Sequence, residues 1–195
     1  MSFDRIAPFY GFISQLVFGQ SLRKAKSCYL SAIGSEDSIL IIGGGNGDIL
    51  PKLPLDSRKT FIDSSSAMLQ LAKERNCMNV EYVHQSIATF QSSKQFDVII
   101  MNCFLDLFDE HELPEIVSTI KPFLKSGGRL LVTDFSDQRV WHRMMLSTMY
   151  LFFSLTAGIT NRKLCKWQEA LSSIFHRVDQ RKFYGNFIIS ERYTS

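Results

Sequence analysis

A chain of 195 residues with 45% hydrophobic and 21% charged side chains holds one domain with a full core and is short for two. The same balance excludes a disordered or collagen-like polymer. The net charge of +3 is unevenly placed, because residues 1–138 carry 13 basic and 16 acidic side chains while residues 139–195 carry 9 and 3.

Residues 3–33 read as helical, with Phe9, Phe12, Ile13, Leu16 and Val17 recurring three and four apart. A second helix is expected within them from about Ser21 to Ile33, ended by Gly34. Residues 38–42 form a continuous apolar, β-branched run, the pattern of a strand buried on both faces. Gly43, Gly44, Gly45, Asn46 and Gly47 follow directly, and Pro51 and Pro54 limit any helix after them. Residues 60–63 are the next strand, ending on a carboxylate, and Ser64 or Ser65 caps a helix over 66–75. Strands are expected at 80–83 and 96–101. A helix over 109–124 points Leu113, Ile116, Val117, Ile120 and Leu124 inward, and a turn at 125–128 leads into a strand at 129–133 ending at Asp134. Residues 144–161 carry no charge, but serines, threonines and a glycine dilute them, so a partly buried helix or lid is favoured over a membrane span. A helix over 167–175 and a hairpin of 177–183 and 187–193 around Tyr184-Gly185-Asn186 close the chain.

Strands alternating with helices predict an α/β fold, a mostly parallel, doubly wound sheet with a C-terminal antiparallel hairpin. One domain over 1–195 is expected, with residues 1–34 as a helical cover and 136–165 as the lid. Cys28, Cys77, Cys103 and Cys165 match no zinc or disulfide spacing, and no signal peptide is visible, so a cytoplasmic protein with reduced thiols is expected.

The glycine run carries the strongest chemical signal. Glycines at 43, 45 and 47 directly after a strand let the backbone turn sharply and a ligand approach closely. The dinucleotide fingerprint GxGxxG fails, since its sixth position falls on Asp48 or Leu50. An acidic Asp48 at a helix start also repels a pyrophosphate, which favours a cofactor with a cationic centre and no phosphate. Asp63, twenty residues after Gly43, stands where a carboxylate accepts hydrogen bonds from ribose hydroxyls, or else caps the following helix.

The segments 43–47, 61–69, 96–100 and 123–135, in that order, resemble the class I S-adenosylmethionine-dependent methyltransferases of seven-stranded Rossmann-like fold. Residues 3–10, Phe-Asp-Arg-Ile-Ala-Pro-Phe-Tyr, also look like the subset containing ubiquinone and menaquinone biosynthesis enzymes and phospholipid N-methyltransferases. The resemblance implies S-adenosyl-L-methionine as cofactor. It implies that Gly43, Gly44, Gly45, Asn46 and Gly47 wrap its methionine and ribose, with Asp63 on the ribose hydroxyls. Ser64 and Met68 then lie near the adenine, Ser86 and Ile87 at its amino group, and Asn102 and Cys103 at the amino-acid end, while Tyr10 closes over the methyl group. Two positions depart from the family pattern: Ile41 stands where an acidic residue is frequent, and Ser86 replaces the usual Asp. They feed a second reading, a non-catalytic S-adenosylmethionine-binding or scaffold protein. A nicotinamide-dependent oxidoreductase is disfavoured by the glycine spacing.

Methyl transfer to a hydroxyl or carbon usually needs a base, whereas a neutral amine does not. Asp106, His111, Asp134 and His142 follow strands four and five; Asp134 is the first candidate and His142 the second. No His/Cys/Asp cluster has metal-ligand spacing, so no metal is expected. Trp141, Met144, Met145, Met149, Tyr150, Phe152 and Phe153 make the lid soft and aromatic, which suits a small hydrophobic acceptor. The basic C-terminal part fits a solvated face, an acidic substrate or a peripheral membrane contact. Nucleic acid is disfavoured, because its basic residues are not interleaved with aromatics.

Overall fold

The computed structural model describes residues 15–157 and 164–195. Seven strands, β1 (Ser38–Ile42), β2 (Arg58–Asp63), β3 (Val80–His84), β4 (Phe96–Asn102), β5 (Leu124–Phe135), β6 (His176–Phe183) and β7 (Ile188–Thr194), form one sheet. Their order is β3-β2-β1-β4-β5-β7-β6. The first five run parallel, and β7 pairs antiparallel with both β5 and β6. The mostly parallel sheet with an antiparallel C-terminal hairpin is therefore as expected.

The continuous apolar runs are explained by burial on both faces. Leu40 and Ile42 join a core with Ile62, Ile99 and Val117, whereas Ile39 and Ile41 join another with Tyr29, Phe61, Leu69 and Ala72. Successive side chains of a strand point to opposite faces, so an alternating pattern would have left one face polar. The helices are α1 (Ser21–Ser27), α2 (Ser66–Lys73), α3 (Glu112–Ile120), α4 (Val140–Ala157) and α5 (Trp167–Ser172). A third core joins Phe18 and Leu22 to Phe135, Leu146, Tyr150 and Phe187.

Three elements differ from expectation for local reasons. The helix expected over 21–33 stops at Ser27, whose hydroxyl donates back to the carbonyls of Arg23 and Lys24, and a separate 3₁₀ turn follows at Leu30–Ala32. The helix expected from 109 begins at Glu112, because the Asp109 carboxylate accepts from the backbone N–H of His111 at 2.8 Å and of Glu112 at 2.9 Å. The turn at 125–128 lies inside β5 as a bulge: pairing advances from Phe96 to Val98 on β4 while it advances from Leu124 to Arg129 on β5. Residues 1–14 and 158–163 lie outside the described residues, and with them Tyr10, most of the N-terminal cover and the end of the lid. Among the described residues no helix is long and apolar enough to cross a membrane.

Candidate active site

Strand order reverses between β1 and β4, and at the carboxyl end of such a junction the connecting loops part to leave a crevice. The loop after β1 enters it. Gly43 N–H donates to the Ile62 carbonyl at 2.9 Å, which ties the start of the loop to β2. Gly45 has φ of 57°, in the left-handed region that favours glycine, and a Cβ there would meet nothing within 4 Å. A Cβ on Gly44 would instead fall 2.2 Å from the fully buried ring of Phe61.

Asp63 ends β2 and is 8% exposed. Its Oδ2 accepts from Gly45 N–H at 2.8 Å and its Oδ1 from Ser65 N–H at 2.9 Å. The capping role falls to Ser65, whose hydroxyl accepts from Met68 N–H at 3.2 Å. Asp63 is thereby held at the mouth of the glycine loop.

These groups border one cavity of about 310 Å³, the size of a small-ligand site. Of the residues singled out from the sequence, Gly43, Gly44, Gly45, Asn46, Asp63, Ser64, Met68, Ser86, Ile87, Asn102 and Cys103 all line it. Gly47 does not; a Cβ there would press on Ala72 at 2.9 Å, so its small size serves the contact between loop and α2. Cys103 has φ of 52°, strained for a non-glycine residue, and its N–H donates to the Thr133 carbonyl at 2.7 Å. Burial pushes its thiol well above the ordinary range, with Lys26 opposing.

Sequence reasoning missed two parts of the lining. Lys26 of α1 is 9% exposed and forms an ion pair with Asp48 at 3.3 Å beside the glycine loop. Phe104, Leu107 and Phe108 supply an apolar wall. Helical periodicity alone marks Lys26 as an ordinary surface residue, and the phenylalanines read as ordinary core.

The candidate bases sit elsewhere. Asp134 is 1% exposed and does not line the cavity. Its Oδ2 accepts from the backbone N–H groups of Phe104 at 3.2 Å, Leu105 at 2.9 Å and Asp106 at 3.3 Å, and its Oδ1 from Phe135 N–H at 2.9 Å. Oδ2 thus holds the start of the 3₁₀ turn at Leu105–Leu107, while Oδ1 is satisfied within its own strand. Burial pushes the carboxyl up to about 6 against those four donors. Burial and then Asp134 raise the neighbouring Asp106 as well. His142 is fully buried, its Nε2 lies 3.2 Å from the Gly185 carbonyl at the hairpin tip, and burial lowers its pKa. It lies neither on the cavity wall nor on the surface. His111 is exposed at the start of α3.

Comparison with known proteins bears on this arrangement. Residues 39–128 match the profile of a methyltransferase domain, the segment that holds β1 to β4, the glycine loop and Asp63. A comparison with curated proteins finds no match. Among solved structures, the chain is similar to the N-methyltransferase NodS from Bradyrhizobium japonicum WM9 with S-adenosyl-L-homocysteine, at 17% identity and TM-score 0.67, covering 89% of this chain and 83% of that one. It is similar to the 1,6-didemethyltoxoflavin-N1-methyltransferase of Burkholderia thailandensis at 17% identity and TM-score 0.68, covering 97% and 87%. The DhpI-SAM-HEP complex matches at 13% identity and TM-score 0.75, covering 99% and 94%. At such identities the likeness is one of fold. The matched domain, the sheet order and the glycine loop are together similar to those of methyltransferases that use S-adenosylmethionine.

The residues present fit that cofactor. Gly45 leaves open space, Asp63 brings a carboxylate to the cavity wall, and Lys26 with Asp48 offers one charge of each sign to a zwitterionic amino-acid end.

Proposed function

We propose that the protein transfers the methyl group of S-adenosylmethionine to a small hydrophobic acceptor. The observation that carries this reading is the continuity of one cavity, polar at the glycine loop and Asp63 and apolar at Phe104, Leu107 and Phe108. When bound, S-adenosylmethionine supplies a methyl carbon made electrophilic by its sulfonium. Asp63 accepts the ribose hydroxyls, Met68 and Ile87 pack on the adenine, and Ser86, Asn102 and Cys103 supply polar contacts. Lys26 faces the α-carboxylate and Asp48 the α-ammonium, which makes Asp48 the acidic partner that Ile41 does not provide. The acceptor's lone pair forms the new bond to carbon as the carbon–sulfur bond breaks with its electrons on sulfur. Alignment in a water-poor cavity supplies most of the rate. Asp134 acts as a positioning residue that fixes the 104–106 backbone, and a neutral amine acceptor needs no base. The four cysteines are free thiols, which supports a cytoplasmic setting.

The test is formation of S-adenosylhomocysteine with a panel of small amines and phenols graded in polarity. Turnover should rise with apolar surface, and Phe108→Ser should raise KM for the apolar members while leaving cofactor affinity unchanged. Equal turnover across the panel contradicts the acceptor class.

A further inference from the structure

We propose that Tyr150 is a specificity-determining residue for the methyl acceptor, and that its hydroxyl holds an amine nitrogen. This rests on the methyl-transfer reading above and narrows the hydrophobic acceptor to a hydrophobic amine. Tyr150, on α4, is 5% exposed. Its Oη is enclosed and has no hydrogen-bond partner among the described residues. A buried hydroxyl left so has lost its water without replacement, a cost that a bound ligand removes.

The place of this hydroxyl points to the ligand. Tyr150 packs in the third core with Phe135 and Leu146, and Cys103 packs against that core. Cys103 also lines the cofactor cavity, so it borders both. It keeps that place with φ of 52°, a costly conformation for a non-glycine residue that persists at functional sites. Burial first, and then Asp106 and Asp134, raise the Tyr150 hydroxyl. Burial, opposed by Lys26, and then the same two carboxyls raise the Cys103 thiol. Hydroxyl, thiol and both carboxyls therefore share one enclosed neighbourhood beside the cavity. Its charge selects nitrogen. A phenol or alcohol gains negative charge as it sheds its proton for methylation, which buried carboxyls oppose. A neutral amine gains positive charge instead, which they favour. The Tyr150 oxygen accepts one N–H of the amine, and the nitrogen lone pair stays free. That lone pair forms the bond to the methyl carbon as the carbon–sulfur bond breaks with its electrons on sulfur. The resulting ammonium sheds a proton to water on release.

The experiment compares ring-matched anilines and phenols, with S-adenosylmethionine, in the wild-type chain and in Tyr150→Phe. By kcat/KM the wild type should favour the anilines about tenfold or more. Tyr150→Phe should lower kcat/KM for the anilines about tenfold, the size of one lost buried hydrogen bond. Its affinity for S-adenosylhomocysteine, read by calorimetry, should stay as in the wild type. Its Tm should equal or exceed that of the wild type, because the variant drops a buried hydroxyl that has no partner. A purely packing role would move neither rate, since phenylalanine keeps the ring. A lower Tm, equal kcat/KM in the two proteins, or a wild-type preference for phenols would each overturn the proposal and leave methyl transfer standing. No S-adenosylhomocysteine formed with any member of either series would overturn the proposal together with the reading beneath it.

Discussion

Gly45 and Asp63 are joined by a 2.8 Å hydrogen bond from backbone to carboxylate, 18 residues apart in sequence. The bond fixes the mouth of the glycine loop against the end of β2 before any ligand arrives. A carboxylate so placed makes charge-assisted hydrogen bonds, each worth about 1.5–3 kcal/mol when lost. Asp63→Ala is therefore expected to weaken S-adenosylhomocysteine binding about tenfold to a hundredfold, read by calorimetry. Asp63→Asn, which keeps one acceptor oxygen, should lose less.

The loop glycines should respond to alanine by different routes. Gly44→Ala drives a methyl into the ring of Phe61, overpacking a fully buried site at a cost of about 1–3 kcal/mol. Gly45→Ala has open space and meets only the penalty of the left-handed backbone, about 1–2 kcal/mol. A double-mutant cycle with Phe61→Leu separates them: urea denaturation should show rescue of Gly44→Ala and none of Gly45→Ala.

Asp134→Asn takes a charged acceptor from three backbone donors of the 104–106 turn and from Phe135 N–H. Stability should fall by about 1–3 kcal/mol, lowering Tm by about 2–10 °C in a chain of this size. At a temperature where both proteins are folded, methyl transfer should fall by less than about tenfold, whereas loss of a general base costs about 10²–10⁴-fold.

Much of this architecture is legible in the sequence because its signals are local. The runs at 38–42 and 96–102 are continuously apolar because both faces are covered, and the glycine loop and Asp63 sit at the ends of strands that such runs announce. What escapes has a long-range cause. Lys26 reaches the loop through an ion pair across 22 residues, so no local pattern marks it. Asp134 stands at a strand end as a catalytic carboxylate would. Only the folded chain reveals the four N–H groups around it. Helix ends at Ser27 and Glu112 are set by the hydrogen bonds of one side chain each, Ser27 and Asp109, which periodicity does not record.

Asp97 sets the acid limb of stability. Burial alone raises its pKa, but hydrogen bonds from Lys125 and Ser38 more than reverse this and bring it down to about 2. Its carboxylate accepts from Ser38 Oγ at 2.6 Å and from Lys125 Nζ at 2.9 Å, tying β1, β4 and β5 together. A carboxylate whose folded pKa is depressed stabilises the fold above its unfolded pKa of about 3.9 and loses that contribution as pH falls toward the folded value. Urea midpoints should therefore drop between about pH 4 and pH 2, and Asp97→Asn should flatten that drop while lowering stability near neutrality.

The most direct measurement is a calorimetric titration of the wild-type protein with S-adenosylmethionine, S-adenosylhomocysteine and NAD in parallel. Saturable one-to-one binding of both sulfur ligands, lost in Lys26→Ala and weakened in Asp63→Ala, with no heat from NAD, is the predicted result. No binding of either sulfur ligand, or binding of NAD in their place, would contradict the account.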